Sequence, residues 1–311
     1  MTESIGTPTL YAVFTAIVLG LLALDLGVFH RQAHVLRFRE AVTWSIVWIG
    51  LAGLFNAWLA WQFGATKALE FTTGYVIEKA LSVDNVFIFL VIFATFKVPE
   101  ALQHRVLFWG VLGALVMRGA FIAAGAALMN AFHGVIYVFG GILLLTGIRL
   151  LLTRDHEEHP ERNPAFRLLT RVVPSTPQYH GSRFWVNEGG RRLATPLFLV
   201  LVLVEFTDVV FAVDSIPAIF AVTQDPFIVF TSNVFAILGL RALYFCVSGF
   251  VSRLRHLKIG LALVLVFVAI KMLLTDVVKV PIGVSLAGVA TILGSTIVTS
   301  LLADRRGRSA G

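Results

Sequence analysis

The sequence predicts an all-α membrane protein of about nine transmembrane helices, N-terminus out and C-terminus in. Three observations carry that prediction. Of 311 residues, 58% are hydrophobic and only 14% charged, a balance far outside that of a soluble domain. Apolar runs long enough to cross about 30 Å of hydrocarbon recur along the whole chain. The basic residues gather in alternate connections, as the positive-inside rule requires of a threaded chain.

Taken in order, the runs fall at Thr9–Phe29, Ala41–Trp61, Phe71–Phe96, Leu102–Leu128, Phe132–Thr153, Ala194–Ala221, Phe227–Phe250, Lys258–Thr275 and Ile282–Leu302. Arg31, Arg37 and Arg39 follow the first; Lys97 and Arg105 follow the third. Arg154, Arg162, Arg167, Arg171, Arg183, Arg191 and Arg192 lie between the fifth and sixth. Arg253, Arg255 and Lys258 follow the seventh, and Arg305, Arg306 and Arg308 form the tail, whereas the intervening connections hold only Lys67 and Lys279. A miscounted span would break this alternation. The net charge of +7 therefore belongs to a cytoplasmic membrane face, and nucleic acid is not needed as a partner to explain it.

The first run lacks a basic region before it and contains Asp25, so it reads as a retained helix and not a cleaved signal. Cys246 is the single cysteine, and one chain can form no disulfide framework. The organisation is spans one to five over 1–153, a cytoplasmic loop over 154–193, spans six to nine over 194–304 and a basic cytoplasmic tail over 305–311. The loop is too short to be a catalytic domain.

Two membrane-depth segments carry nearly the same acidic phrase. Glu78 leads to Asp84-Asn85 in VIEKALSVDNVFIFL, and Asp208 leads to Asp214-Ser215 in VEFTDVVFAVDSIPAIF. Aligned on these aspartates, Arg118 falls near Arg241, and Arg149 falls on Lys271. Three consecutive spans thus match three, and because spans three to five start outside while six to eight start inside, the repeat is inverted, a recurrent transporter design.

An ionisable group at a helix centre costs roughly 2.5 to 3.5 kcal/mol on insertion scales, so each needs a reason. Mutual ion pairing and snorkelling are the plain reasons, and they suit Arg149 and Lys271 near helix ends. Asp25 fits pairing and function equally. The central acids point further: Glu78, Ser82 and Asn85 share one helix face, as do Glu205, Asp208, Ala212 and Ser215. Asp84 and Asp214 lie about 120° off those stripes in a straight helix. Either they pair with Arg118 and Arg241, or the helices are distorted, and Pro217 frees the carbonyl of Val213 beside Asp214.

Carboxylate, amide, hydroxyl and carbonyl oxygens select hard divalent ions: manganese, magnesium or calcium. The histidines lie in loops or at span ends and the methionines form no cluster, which argues against soft metals. Carboxylates in a low-dielectric site can also carry protons in exchange. The run Asp155, His156, Glu157, Glu158, His159 lacks the spacing of zinc proteases and reads as a solvated charge run. No cofactor fingerprint and no nucleophile with a base is visible, so an enzyme is not expected.

At EKALSVDNVF and VEFTDVVFAVDSIPAIFAVTQDPFIVFTSNVFAILGLRALYF the sequence closely resembles the TerC family of integral membrane proteins, especially its Alx-type branch. The likeness runs from about Gly6 through the ninth span. It implies a place among transporters built from inverted three-helix repeats and, for such members, manganese(II) efflux from the cytoplasm, tied to manganese or alkaline-pH response; the family's name comes from tellurium-resistance operons. Carried across, it marks Glu78, Asp84, Glu205, Asp208 and Asp214 as the acidic core, with Asn85, Ser215 and Asn233 as neutral ligands. Asp25 and Asp225 match further acidic positions. The expectation is a secondary manganese exporter of the bacterial inner membrane whose midplane site is flanked by gating or pairing residues Asp25, Arg118, Arg241, Lys271 and Pro217. The alternative is a metal- or pH-sensing membrane hub of a tellurite or envelope-stress complex that works through the 154–193 loop with little transport.

Overall fold

The computed structural model describes residues 4–29, 38–132, 134–152, 173–188, 190–248, 257–274, 276–278 and 280–309. The arginines of 31–37, 154–171 and 253–255 and the acidic run at 155–159 lie outside the described residues. The described chain is helical apart from one small hairpin: α1 Pro8–Phe29, α2 Phe38–Phe63, α3 Ala65–Thr95, α4 Glu100–Ala131, α5 Val135–Leu152, β1 Trp185–Glu188, β2 Arg191–Ala194, α6 Pro196–Phe220, α7 Pro226–Leu238, α8 Leu240–Ser248, α9 Leu257–Leu273 and α10 Ile282–Ser309. The helices follow the expected spans to within a few residues, except that α3 begins six residues early, α10 runs seven residues on into the basic tail, and span seven is divided at Gly239 into α7 and α8. Among the described residues, five helical stretches are long and apolar enough to cross a membrane: Phe38–Phe63, Glu100–Met129, Pro196–Phe220, Pro226–Cys246 and Gly283–Ser300. Apolar side chains such as Leu54, Trp61, Val116 and Leu145 stand exposed on the outside of the bundle, a surface that suits hydrocarbon and not water.

Local chemistry sets the joints. Gly64 adopts φ +87 between α2 and α3, a region open to glycine at no steric cost. Lys97, at φ +49, turns α3 towards α4, and the Val98 amide donates back to the Phe93 carbonyl at 2.9 Å, closing the helix end. Pro196 and Pro226 start α6 and α7 at the first helical turn, where a missing amide hydrogen costs nothing. α6 stays helical through Pro217.

The packing has an exchange pattern. α3 packs on α7, α6 packs on α4, α3 and α6 pack on each other, and so do α5 and α9. α5 and α9 run antiparallel in close apposition because Gly140 sits against Leu273 and Gly147 against Val266. At the centre, every residue of α7 from Phe227 to Leu238 except Phe230 is buried. Rings of Tyr11, Phe14, Phe55, Phe71, Phe227 and Phe235 interlock α1, α2, α3 and α7 with centroids 5.1 to 6.1 Å apart, geometry favoured by the ring quadrupole.

Part of the loop expected to be a connector is ordered. β1 and β2 pair antiparallel with Glu188 opposite Arg191, joined by the two-residue connection 189–190. Gly190 takes φ +77 there, as such tight hairpins demand. The hairpin is tied to the bundle: the Tyr179 hydroxyl donates to the Phe96 carbonyl at 2.8 Å, and the Arg105 guanidinium lies 5.1 Å over the Phe184 ring. Burial pushes the Tyr179 hydroxyl up to about 12, which favours the protonated donor.

Candidate functional site

The two acidic stripes face one another across the middle of the bundle. α3 presents Glu78, Ser82 and Asn85, and α6 presents Asp208 and Ser215, all between 0% and 3% exposed. α4 sends Arg118 between them, and α7 supplies Asn233.

Arg118 is the hub of the site. Its Nε and Nη2 donate to the two carboxylate oxygens of Asp208 at 3.1 and 2.8 Å. This is the two-pronged geometry for which a guanidinium is suited. Its Nη1 donates to Glu78 Oε1 in an ion pair, to Asn233 Oδ1 at 3.1 Å and to Ser215 Oγ at 3.4 Å. Asn233 returns a bond to Glu78 Oε2 at 3.2 Å, and Asn85 donates to Asp208 Oδ1 at 3.3 Å. With both carboxylates ionised, the trio has a formal charge of minus one.

Arg118 therefore pairs with the stripe acids Glu78 and Asp208. The side chains of Asp25, Asp84 and Asp214 lie outside the described residues. The backbones at 84 and 214 are helical, so both positions keep their angular offset from the stripes. Arg241 is 9% exposed and is not without a partner of its own. Lys271 lies at the last turn of α9 and Arg149 at the last turn of α5, both positions that let a long side chain reach towards an interface. Among the described residues, no group of three or more histidine, cysteine, aspartate or glutamate side chains is gathered as a metal cage. The guanidinium stands between the acids instead.

Oxygen atoms nonetheless remain in reserve. Ser82 Oγ, Asn85 Oδ1 and Glu205 Oε2 are buried without a hydrogen-bond partner, and groups of this kind ask for an explanation, a bound ion being one. Glu205 lies one turn before Asp208 on α6, and its carboxylate occupies the notch left by Gly113 on α4, where a Cβ would overlap it. A small cavity beside Asp208 is lined by Phe89, Leu107, Gly110, Val111, Val204 and Leu240. Gly113 escaped the sequence reading because nothing in its local pattern ties a glycine of α4 to a carboxylate on α6. Asn233 was reached through the resemblance alone.

The comparisons agree with this picture of a membrane bundle. The model of the integral membrane protein TerC family matches residues 63–308. A membrane protein of Myxococcus xanthus is 55% identical over 97% of this chain and 95% of its own length. Relatives that carry the provisional name membrane-bound redox modulator Alx are 48% identical in Salmonella typhi, over 95% of both chains, and 47% identical in Escherichia coli strain K12, over 98% of both. No solved structure matches the chain. The chain is a multi-pass integral membrane protein and belongs to the TerC family.

Proposed function

We propose that this protein is a secondary transporter that exports manganese(II) from the cytoplasm through the midplane site, with proton exchange at its carboxylates as the coupling. The observation that carries the reading is the donor set: buried oxygens of Ser82, Asn85 and Glu205 without partners, beside two carboxylates held by a single arginine. Such a set suits a hard divalent cation. Among these ions, manganese is the family expectation. The exchange of packing partners, α3 with α7 and α6 with α4, supports two inverted triplets, α3–α5 and α6–α9, with the site at their interface.

Arg118 then acts as the occupant of the empty carrier. A dication approaching from the cytoplasm meets Glu205 first and draws Asp208 and Glu78 away from the guanidinium, which withdraws towards Asn233 and Ser215. Asp84 and Asp214 join as ligands or gate. The loop charges support an outside N-terminus and a cytoplasmic C-terminus, and the bacterial inner membrane is the family expectation. The relatives' name of redox modulator finds no dithiol here, since Cys246 is the only cysteine.

The ordered hairpin on the α3–α4 turn favours the hub as a second reading, and one experiment separates the two. Purified protein in liposomes with a pH indicator inside should move manganese, and Asp208→Asn and Asp84→Asn should cut flux at least tenfold. Cells carrying either variant should accumulate excess manganese under load. A parent protein that moves no manganese, or variants that leave cellular manganese at the wild-type level, would reject the exporter.

A further inference from the structure

We propose that Lys67, Glu70 and Asp225 form the gate at the outer end of the transport path, with the N-terminal segment at Ser4 and Ile5 strapped across it. The proposal rests on the transporter reading and extends it to the side away from the cytoplasm. Asp225 caps α7, and its side chain is wholly buried. Its carboxylate accepts from Ser4 Oγ at 2.8 Å, Ile5 N at 3.0 Å and Phe227 N at 3.1 Å, and it pairs with Lys67 Nζ at 3.1 Å. Lys67 also holds Glu70 at 3.0 Å, and the Thr223 hydroxyl donates to the same Glu70 oxygen at 2.6 Å.

This cluster stands directly beyond the central site on the same two helices. Asn233, which bonds Glu78, lies eight residues along α7 from Asp225, and Glu78 lies eleven along α3 from Lys67, so the cluster is roughly 12 to 16 Å farther out. Between the two levels α3 and α7 are in tight contact, since a Cβ on Gly74 would lie 2.9 Å from Ser232 Oγ. The cavity beside Asp208 is instead bordered by Leu107 and Gly110 of the first half of α4, the half nearer the hairpin. Among the described residues, the α3–α7 seam is thus closed at the Lys67 end, while the small cavity borders the centre from the other side.

The chemistry suits a reversible closure better than a permanent staple. Lys67 is 16% exposed, so its ammonium can reach water, and Asp225 keeps the Phe227 amide when it leaves. An outgoing dication outcompetes a single ammonium for Glu70 and Asp225, which releases Lys67 and opens the seam between α3 and α7.

The test reads accessibility and needs no transport. In the full chain with Cys246→Ala, Ser232→Cys places one thiol beneath the cluster. A membrane-impermeant methanethiosulfonate is added to the outside of right-side-out vesicles. The thiol should react slowly in the parent and at least tenfold faster with Lys67→Met, while thermal stability in detergent changes by only a few degrees. Asp225→Asn should act in the same direction; Lys67→Met decides if that variant fails to fold. Equal outside reactivity in parent and Lys67→Met, or a thiol that responds only to reagent on the cytoplasmic side, overturns the gate. Manganese flux of the parent, measured separately, shows whether the transporter reading itself has failed.

Discussion

Arg118 makes bonds to α3, α6 and α7 from its place on α4. Removing one partner of a buried ion pair typically costs 3 to 5 kcal/mol, about as much as many domains can spare. Arg118 is therefore a poor position at which to probe transport alone, because loss of function and loss of fold coincide. Gly113 is a better one. A methyl group there overlaps the Glu205 carboxylate, and overpacking of this kind costs about 1 to 3 kcal/mol. Gly113→Ala should lower the melting temperature and manganese flux together, whereas Gly113→Ala with Glu205→Ala should regain the stability but not the flux. Additive stability losses in that double-mutant cycle would show that the notch does not seat Glu205. At this scale the sequence disclosed which residues were expensive but not who pairs with whom. Glu78 and Asp208 were visible as rare charges. Their common partner was not, because Arg118 lies 40 residues from one and 90 from the other, and helical spacing says nothing across such distances.

Among the elements, α5 and α9 show how small residues decide helix association where lipid removes most of the hydrophobic drive. A side chain at Gly147 would meet Val266 at 2.8 Å and the Ala262 carbonyl at 3.1 Å, whereas Gly141 faces open space. Gly147→Leu should reduce thermal stability in detergent by several degrees, and Gly141→Leu should leave it within a degree or two; equal effects would mean that the contact is not what holds the pair. Helix positions were readable from apolar run length alone, since a span must satisfy its own backbone bonds in lipid. The hairpin was not read: its strands are only four residues each, too short for alternation to rise above noise, and its signal was the glycine pair at 189–190. The break at Gly239 between α7 and α8 was equally hidden inside a continuous apolar run.

For the molecule as a whole, the alternation of basic connections in the sequence predicts that the chain ends lie on opposite sides of the membrane. A fluorescent protein fused at Gly311 should fold and glow in the cytoplasm, and an alkaline phosphatase fused there should be inactive; the reverse pair of results would invert the assignment of every loop. The doubled acidic phrase was readable because its marks are charges, which chance rarely places in lipid. The state of the site was not readable, since a list of ligands does not say whether metal or arginine holds them. That difference bears on the cycle of a carrier. Two bare carboxylates crossing the bilayer midplane would be held back by their own field and would invite any stray cation to leak through. In the proposed carrier, a tethered positive charge in the cargo's seat would offset one of the two carboxylate charges on the unloaded return, and turnover would then depend on how readily Arg118 yields the seat as well as on how tightly the acids hold an ion.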